Sequence, residues 1–256
     1  MTGILTATAD GITTITIDRV SKKNSFTSEM YVAMTEALRQ AADDPSVRVV
    51  VIQGDETVFS AGNDIQDFVN DPPTSIDTPV GQFLPTIAEF PKPLVAAVCG
   101  AAVGVGTTML LHCEIVVAGE NAMFMMPFVN LGITPEAGSS ILLPQLIGYQ
   151  RAAEALLLGG RISAADAHHM GLVNHLVPVT EVNELAQQKA RELAAKPLSA
   201  LIETKRLLKS GQREVLRARM IEEIEIFGGL LQQPAAKEAF SAFLEGRTPD
   251  FREVGE

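Results

Sequence analysis

The sequence predicts an α/β fold, and three short apolar runs carry that prediction. Residues 47–52, 94–98 and 114–118 are dominated by valine, isoleucine, leucine and alanine, which is typical of parallel strands buried on both faces. Residues 103–111 lie between the last two runs and have a helical pattern. Strands and helices that alternate at such short spacing indicate an α/β domain. The 256 residues suffice for one large domain, or for a smaller domain with an appendage.

Two N-terminal patterns precede the first of these runs. Residues 4–18 alternate between β-branched and other side chains on both sides of Asp10-Gly11, which predicts a β-hairpin. In residues 27–42, apolar side chains recur at every third or fourth position, which predicts an amphipathic helix that ends near Pro45. A hairpin and a helix therefore lead into the first buried strand.

Proline is concentrated in residues 70–93. Six of the 14 prolines fall there: Pro72, Pro73, Pro79, Pro85, Pro91 and Pro93. Because proline lacks a backbone N–H and breaks helices and strands, long regular structure is not expected throughout this segment. Inside a compact domain, such a stretch is typical of a functional lid or of a disordered loop.

The chain becomes purely helical towards its C-terminus. Residues 181–195, 198–209 and 215–231 have helical patterns, and a final short helix follows Pro234. We predict a boundary near residue 195, with an α/β core in residues 1–195 and a helical region in residues 196–256.

Composition narrows the classes of function. The 31 acidic and 20 basic residues give a net charge of −11, so neither a nucleic acid nor an anionic membrane is expected as a partner. No apolar run reaches the roughly 20 residues of a membrane-spanning helix. Cys99 and Cys113 form neither a metal-ligand pair nor a disulfide framework, and we expect a cytoplasmic protein without a bound metal.

Two glycine-containing turns are candidates for binding negative charge. Gly104 and Gly106 follow a predicted strand, but Met109 stands where a dinucleotide-binding GxGxxG motif requires its last glycine. The backbone N–H groups of such a turn still favour negative charge at a helix start. Residues 60–64 form a second turn of this kind. Each turn alone can be a plain strand-to-helix connection, whereas two that face each other would make an oxyanion hole.

Glu136 differs from most acidic residues because its neighbours in the sequence are apolar, and two interpretations of it stay open. Thr134, Pro135 and Glu136 suit a helix start, where threonine caps, proline has no donor to lose and glutamate faces the helix dipole. Apolar surroundings also raise a carboxyl pKa, as a general base near neutral pH requires. The four histidines lack metal-ligand spacing and are interpreted as structural or surface residues: His112, His168, His169 and His175.

Four segments together resemble the crotonase, or enoyl-CoA hydratase/isomerase, superfamily. They are residues 60–65, 99–106, 131–138 and 161–173, and the resemblance extends in order from about residue 4 to residue 245. It implies a crotonase-like spiral of ββα units, followed by a C-terminal helical region used for trimerisation. Many members stack two trimers into a hexamer, so the resemblance implies a homotrimer or a hexamer.

The resemblance also implies where an acyl-CoA thioester binds. Members hold the thioester oxygen with two backbone N–H groups, which by motif position are those of Asn63 and Val105. Flanking residues of both turns would contact the substrate: Ala61, Gly62, Asp64, Ile65 and Gly104. The segment along the CoA moiety matches Lys22, Lys23, Ser25 and Phe26, although a solvated basic turn is the alternative for the lysines. The acyl pocket would be lined by Phe68, Phe83, Leu84 and Phe90.

The positions that differ from the hydratases indicate the reaction. Hydratases carry two glutamates, at positions that are Thr108 and Phe128 here. The arrangement Pro-Phe-x-x-Leu-Gly-x-x-Pro-Glu, which contains Leu131 and ends at Glu136, resembles the Δ3,Δ2-enoyl-CoA isomerases of the peroxisomal type. This resemblance implies that Glu136 moves a proton while a double bond migrates from the 3- to the 2-position of an enoyl-CoA. Phe128 would then help to exclude water.

Two other functions stay open at this stage. One is a different crotonase-type acyl-CoA reaction, such as hydration or a specialised catabolic isomerase or lyase reaction. The other is a non-catalytic acyl-CoA-binding protein, which would not require a base at Glu136. No cofactor is expected beyond the CoA that arrives as part of the substrate.

Overall fold

Two β-sheets organise the chain, as seen in a computed structural model that describes residues 3–70, 72 and 75–254. The larger sheet has the strand order β1 (Ile4–Ala9), β2 (Ile12–Ile17), β3 (Val49–Gln53), β5 (Leu94–Val98), β7 (Ile115–Gly119) and β10 (His175–Val177). The smaller sheet has the order β4 (Val58–Ser60), β6 (Ala101–Val103), β8 (Met123–Met125) and β9 (Arg161–Ser163). The three buried strands predicted from the apolar runs are β3, β5 and β7.

Helices follow the strand pairs and make up the C-terminal region. They are α1 (Ser28–Asp43), α2 (Ile65–Asn70), α3 (Pro79–Ala88), α4 (Val105–Thr108), α5 (Ser139–Ile147), α6 (Tyr149–Leu158), α7 (Ala164–Met170), α8 (Val182–Ala194), α9 (Leu198–Ser210), α10 (Arg213–Leu231) and α11 (Pro234–Glu245). The predicted first helix is confirmed as α1, and Thr27 caps it by accepting a hydrogen bond of 3.3 Å from the Met30 N–H. The helical patterns after residue 181 correspond to α8, α9, α10 and α11.

The chain alternates between the two sheets. From β3 to β8, each strand of the larger sheet is followed by a strand of the smaller sheet, and a helix follows each pair. In the larger sheet, β1 and β2 form the predicted antiparallel hairpin, in which Asp10 and Gly11 are left-handed with φ of 52° and 77°. From β2 onwards the neighbours in this sheet are parallel. This repetition is the ββα spiral that the crotonase resemblance implies, and the α/β prediction is confirmed.

Three apolar clusters form the core. The largest lies between the larger sheet, α1 and α3. A second cluster joins the segment after β8 to α5, α6, α10 and α11. The third packs α8 against the opposite face of β3, β5 and β7. Because both faces of these strands are covered, their continuous apolar sequences are explained.

The proline-rich segment contains more regular structure than the sequence predicts. Helix α3 has ten residues, with Pro79 in its first turn and Pro85 inside it. A proline at the helix start loses no hydrogen bond, and Pro85 removes one donor. The helix persists because its apolar face, including Phe83 and Ile87, is buried in the largest cluster. Pro73 lies outside the described residues.

Two short strands also separate features that are adjacent in the sequence prediction. The turn at residues 60–64 does not directly follow β3, because β4 intervenes and pairs with β6 in the smaller sheet. Likewise, β6 lies between Gly100 and the start of α4. Because β4 and β6 are parallel neighbours, the two glycine-containing turns lie together at the C-terminal ends of these strands.

The division near residue 195 stays a prediction. Helix α8 packs on the larger sheet, whereas Lys205 of α9 reaches the strand region by a 2.9 Å ion pair with Glu114. Within the ranges that the structure describes, no helix has an apolar stretch long enough to cross a membrane.

Candidate active site

The two glycine-containing turns pack against each other backbone to backbone. Gly62 is left-handed with φ of 87°, and a Cβ atom placed on it would lie 2.8 Å from the carbonyl oxygen of Val103. A Cβ atom on Gly106 would lie 2.9 Å from the carbonyl oxygen of Ser60. Both glycines are therefore required by close approach of the backbones. The contact brings the main chain around Asn63 next to the start of α4.

The two N–H groups proposed from the sequence have no acceptor within the described part of the chain. The N–H of Phe26 donates to the carbonyl oxygen of Gly62, and the N–H of Asp64 donates to the carbonyl oxygen of Phe26, each at 2.8 Å. The N–H of Asn63, which lies between them, takes no part in this pairing. Val105 is the first residue of α4, where the helix itself supplies no acceptor. Two unpaired donors on adjoining turns are what an oxyanion hole requires.

Glu136 is a buried carboxylate beside α4, with 4% of its surface exposed. Its Oε1 accepts a hydrogen bond from the hydroxyl of Thr108, the last residue of that helix, while its Oε2 has no partner among the described residues. Burial raises the pKa of Glu136 from 4.5 to about 8; the hydrogen bond from Thr108 opposes this rise, and the charge of Glu223 adds to it. Thr108 and Val105 share one helical turn, so the carboxylate lies close to the second N–H donor.

The helix-start interpretation of Glu136 is wrong. Helix α5 begins at Ser139, and its N-cap is Gly138. Thr134 caps nothing, since its buried hydroxyl has no partner among the described residues. The helix cannot begin earlier because Ala137 and Gly138 are left-handed, with φ of 60° and 69°. Glu136 thus lies in a loop that turns its side chain into the protein.

His112 holds this loop from inside the protein. It is 1% exposed, and its Nε2 lies 2.9 Å from the carbonyl oxygen of Ala137. A carbonyl oxygen can only accept, so Nε2 carries the proton. Burial, together with the positive charge of Lys209, lowers the pKa of His112 to about 3, and the ring is neutral near neutral pH. The structural interpretation of His112 is therefore confirmed, although it contacts the loop of the base.

Tyr31 is a site residue that the sequence did not reveal. Its buried hydroxyl donates to Oδ1 of Asn63, and its ring stacks on Phe26 with centroids 5.1 Å apart. Burial raises the pKa of Tyr31 well above its ordinary value of 10, and the charge of Glu136 raises it further. The hydroxyl thus lies near both the turn that contains Asn63 and the carboxylate of Glu136. Its helical position resembles that of any core residue, so no sequence pattern distinguishes it.

Residues 7–254 match a family model that is described as enoyl-CoA hydratase/isomerase. The chain belongs to the enoyl-CoA hydratase/isomerase family. Its crotonase-like fold is also that of a solved structure, OdaA from Pseudomonas aeruginosa. The two structures give a TM-score of 0.92 at 47% identity, over 94% of this chain and 98% of the other.

Two curated relatives illustrate the range of reactions in the enoyl-CoA hydratase/isomerase family. This chain is 33% identical to the 1,2-epoxyphenylacetyl-CoA isomerase of Escherichia coli (strain K12), over 97% of both chains. It is 32% identical to the enoyl-CoA delta isomerase 2 of Homo sapiens, over 88% of this chain and 59% of the relative. The protein is therefore an enzyme of this family, whose members include isomerases that act on acyl-CoA.

In this family member, the predicted CoA-contacting segment lies against the first oxyanion turn. Lys22 and Lys23 are exposed, and the carbonyl oxygen of Lys23 accepts a 2.9 Å hydrogen bond from the N–H of Ala61. Lys23 is left-handed with φ of 53°. The lysine charges therefore lie on the surface beside the turn, where a phosphate could reach them.

Ser25 and Asp64 are joined to each other by Arg19, which the sequence did not single out. The guanidinium group of Arg19 lies 2.8 Å from Oγ of Ser25 and 2.7 Å from Oδ2 of Asp64. Desolvation raises the pKa of Asp64, but the hydrogen bond and charge of Arg19, together with backbone hydrogen bonds from Asp67 and Gln66, outweigh it and the net pKa is lowered. Both predicted side chains are thus occupied in holding the turn.

The predicted apolar contacts are divided between two clusters. Phe26, Phe83, Leu84 and Phe90 belong to the largest cluster, which also contains Val105 and Ala137. Phe68 and Phe128 belong to the second cluster, against which Ile65 and Leu131 pack. Phe128 is only 3% exposed, so a glutamate in its place would be surrounded by apolar side chains.

A cavity elsewhere in the structure is distinct from the site formed by Glu136 and the two N–H groups. It has a volume of about 810 Å³ and lies between α3, α9 and α10. Its lining includes Phe90, Leu216 and Met220, but neither Glu136 nor either N–H donor. A side chain on Gly138 would collide with Leu216, so the cavity adjoins the base loop from its far side. We therefore look for the chemistry at Glu136 and the N–H groups of Asn63 and Val105 and not in this cavity, which contains none of them.

Proposed function

We propose that this enzyme moves a double bond from the 3- to the 2-position of an enoyl-CoA. The observation that carries the proposal is the buried carboxylate of Glu136, which has one oxygen without a partner among the described residues and a pKa raised to about 8. It contacts Thr108 of α4, the helix that begins with Val105, and the turn that contains Asn63 packs against the start of the same helix. A base of this kind matches the isomerase motif in the sequence, and Thr108 and Phe128 cannot supply the two acids of a hydratase.

The proposed reaction uses one proton and one carboxyl group. The ionised Glu136 removes the proton from carbon 2 of the 3-enoyl thioester, and the electron pair spreads onto the thioester oxygen and carbon 4. The N–H groups of Asn63 and Val105 stabilise the resulting dienolate, and such donors are each worth about 3 kcal/mol. The carboxylic acid of Glu136 then returns the proton to carbon 4, which leaves the double bond between carbons 2 and 3.

Phe128 supports isomerisation over hydration. Hydration of a 2-enoyl-CoA requires a water molecule with a base beside it, whereas this side chain is buried among apolar residues. The hydroxyl of Thr108 is already committed to Glu136 and cannot act as a second carboxyl group. A proton that is carried by the Glu136 carboxyl group needs no water molecule for its transfer. The apolar surroundings that raise the pKa of Glu136 therefore favour return of this proton to the substrate.

The runner-up function is another crotonase-type acyl-CoA reaction at the same base. The 1,2-epoxyphenylacetyl-CoA isomerase among the relatives favours a specialised catabolic isomerisation as that alternative. A purely binding role is disfavoured, because a buried carboxylate with an unpaired oxygen destabilises a binding site without benefit to it.

We also propose that the enzyme works as a homotrimer or hexamer in the cytoplasm, with CoA brought by the substrate and no separate cofactor. Large apolar side chains are exposed on the C-terminal helices, which supports burial of this region between subunits. They include Leu207, Leu208, Val215, Phe243 and Leu244.

The direct test compares two reactions of the purified full-length protein. We expect isomerisation of a medium-chain 3-enoyl-CoA to proceed at least about a hundredfold faster than hydration of the matching 2-enoyl-CoA, since Thr108 and Phe128 stand at the positions of the two hydratase glutamates. Products are separated by chromatography and identified by mass. Faster hydration, or turnover of an aromatic epoxy-CoA without isomerisation of the 3-enoyl-CoA, would contradict the proposal.

Removal of one N–H donor tests the oxyanion hole. Val105→Pro deletes that N–H at the first position of α4, where proline is tolerated in a helix. We expect kcat to fall by about a hundredfold to a thousandfold, as for loss of a single oxyanion donor. Val105→Ala is the control, because it shortens the same side chain but keeps the N–H. Equal kcat values in the two variants would exclude Val105 as a donor.

A further inference from the structure

A second buried carboxylate, Glu223 of α10, faces the loop that follows the base. Its side chain is 5% exposed. Its Oε2 accepts a 2.6 Å hydrogen bond from the N–H of Gly138, and its Oε1 accepts bonds of 3.2 Å and 2.5 Å from the N–H and the hydroxyl of Ser140. The hydroxyl of Ser140 also accepts a 3.1 Å bond from Arg219, one turn earlier on α10. Helix α10 is therefore hydrogen-bonded directly to the start of α5.

The peptide group between Ala137 and Gly138 is held at both of its polar atoms. His112 donates to the carbonyl oxygen of Ala137 at 2.9 Å, and Glu223 accepts from the N–H of Gly138 at 2.6 Å. This peptide group is the second one after Glu136, with Ala137 between them. Hydrogen bonds from two different elements thus determine the orientation of the backbone from which the base projects.

The loop requires such support because its backbone conformation is unfavourable. Ala137 is left-handed with φ of 60°, which costs an L-residue other than glycine about 1 to 2 kcal/mol. Gly138 is also left-handed, with φ of 69°. If this peptide group were free to rotate, Ala137 would relax towards an ordinary conformation and the Glu136 side chain would leave the oxyanion turns.

We propose that Glu223 is a positioning residue for Glu136: it fixes the Ala137–Gly138 peptide group and so directs the base at the oxyanion turns. This role rests on the proposed function of Glu136 as the base. It differs from simple capping of α5 in one respect, because the charge of Glu223 also acts on the base. Removal of that charge must change the proton affinity of Glu136, whereas loss of a helix cap would not.

The ionisable groups that surround the base determine the sign of this effect. Tyr31 of α1 and Glu223 of α10 both interact electrostatically with Glu136, and His112 is neutral. Burial raises the pKa of Glu223, and its hydrogen bonds from Ser140 and Gly138 and the positive charge of Arg219 on the same helix oppose this rise. Since the negative charge of Glu223 raises the pKa of Glu136, a neutral residue at position 223 lowers it.

The test compares Glu223→Gln with Glu225→Gln, a matched control that removes the same charge from an exposed position of α10. The protonation midpoint of Glu136 is followed by infrared difference spectroscopy, and its carboxyl band is identified by its loss in Glu136→Gln. We expect Glu223→Gln to lower this midpoint by about half a pH unit or more and to lower kcat about tenfold, with little change in KM. Glu225→Gln is expected to match the wild type in the protonation midpoint of Glu136, in kcat and in KM.

The outcomes separate this role from the proposed function. A midpoint and a kcat in Glu223→Gln equal to those of Glu225→Gln would overturn the positioning role. A shifted midpoint in a protein that turns over no 3-enoyl-CoA would instead contradict the isomerase proposal alone, because the spectroscopic readout involves no substrate. If Glu223→Gln does not fold, Glu223→Asp decides: it keeps the charge but draws the carboxylate away from the N–H of Gly138, and a kcat equal to that of the wild type would overturn the role.

Discussion

Glu136→Gln is expected to lower the rate of 3-enoyl-CoA isomerisation by about a thousandfold or more. General acid–base catalysis by a positioned side chain typically contributes about 10² to 10⁴, and in the proposed reaction one carboxyl group performs both proton transfers. Glutamine has nearly the same shape and can still accept the hydrogen bond from Thr108 through its oxygen. It cannot take up a proton, so the loss reflects chemistry and not the shape of the pocket.

The measurement is kcat and KM for the wild type, Glu136→Gln and Glu154→Gln. Glu154 is exposed on α6 and provides the same change of charge away from the site. We expect KM to change little in Glu136→Gln, because the N–H donors and the apolar walls are retained. A Glu136→Gln enzyme that keeps more than about a tenth of the wild-type rate would show that another group removes the proton.

The same substitution is expected to remove a large pH-dependent destabilisation of the fold. The pKa of Glu136 is about 8 in the folded protein, against 4.5 for an ordinary glutamate. Between these two pH values the folded chain binds one more proton than the unfolded chain, so stability falls as pH rises from 4.5 to 8. The full difference corresponds to about 5 kcal/mol in the free energy of unfolding. Glu136→Gln cannot ionise and does not show this fall.

Urea unfolding gives the free energy of unfolding of the wild type and of Glu136→Gln at about pH 5 and about pH 9. The effect is the change with pH in the wild type minus the change with pH in Glu136→Gln. Glutamine can change stability by a constant amount at all pH values, so only the change with pH is informative. His112, whose pKa is lowered to about 3, makes the fold less stable as pH falls below 6.5. That contribution is common to both proteins and cancels. Equal pH dependence in the two proteins would mean that Glu136 ionises in the folded state as easily as in water.

Only some of the longer elements were predicted, and helices α5, α6 and α7 were not. Helix α1 and strands β3, β5 and β7 each contain at least five residues, and burial on one or both faces leaves a readable pattern. Strands β4, β6, β8 and β9 contain three residues each and were not predicted. Three residues carry no period, and these strands exist because distant segments pair with them. Helix α3 formed despite Pro85 for the same reason, since its stability comes from tertiary packing.

The sequence proposed candidate site residues but not their geometry. The motifs drew attention to Asn63, Val105 and Glu136, whereas Tyr31 and Glu223 carried no signal. Glu223 contacts a residue 85 positions earlier in the chain, and no local pattern can report a hydrogen bond of that range. The choice between helix start and loop for Glu136 depended on the left-handed backbone of Ala137, which alanine adopts only when its surroundings impose it.

The sequence by itself determined the α/β class, the hairpin, the order of the long elements, the family resemblance and the candidate base. These features depend on short stretches of sequence, because secondary-structure propensity and patterns of apolar residues act over a few neighbouring positions. Only the tertiary structure decided which N–H groups stay unpaired, that Glu136 lies in a loop, and that its pKa rises. Desolvation and hydrogen bonding depend on which groups meet in space, and those groups come from four separate parts of the chain, around Tyr31, Thr108, Glu136 and Glu223.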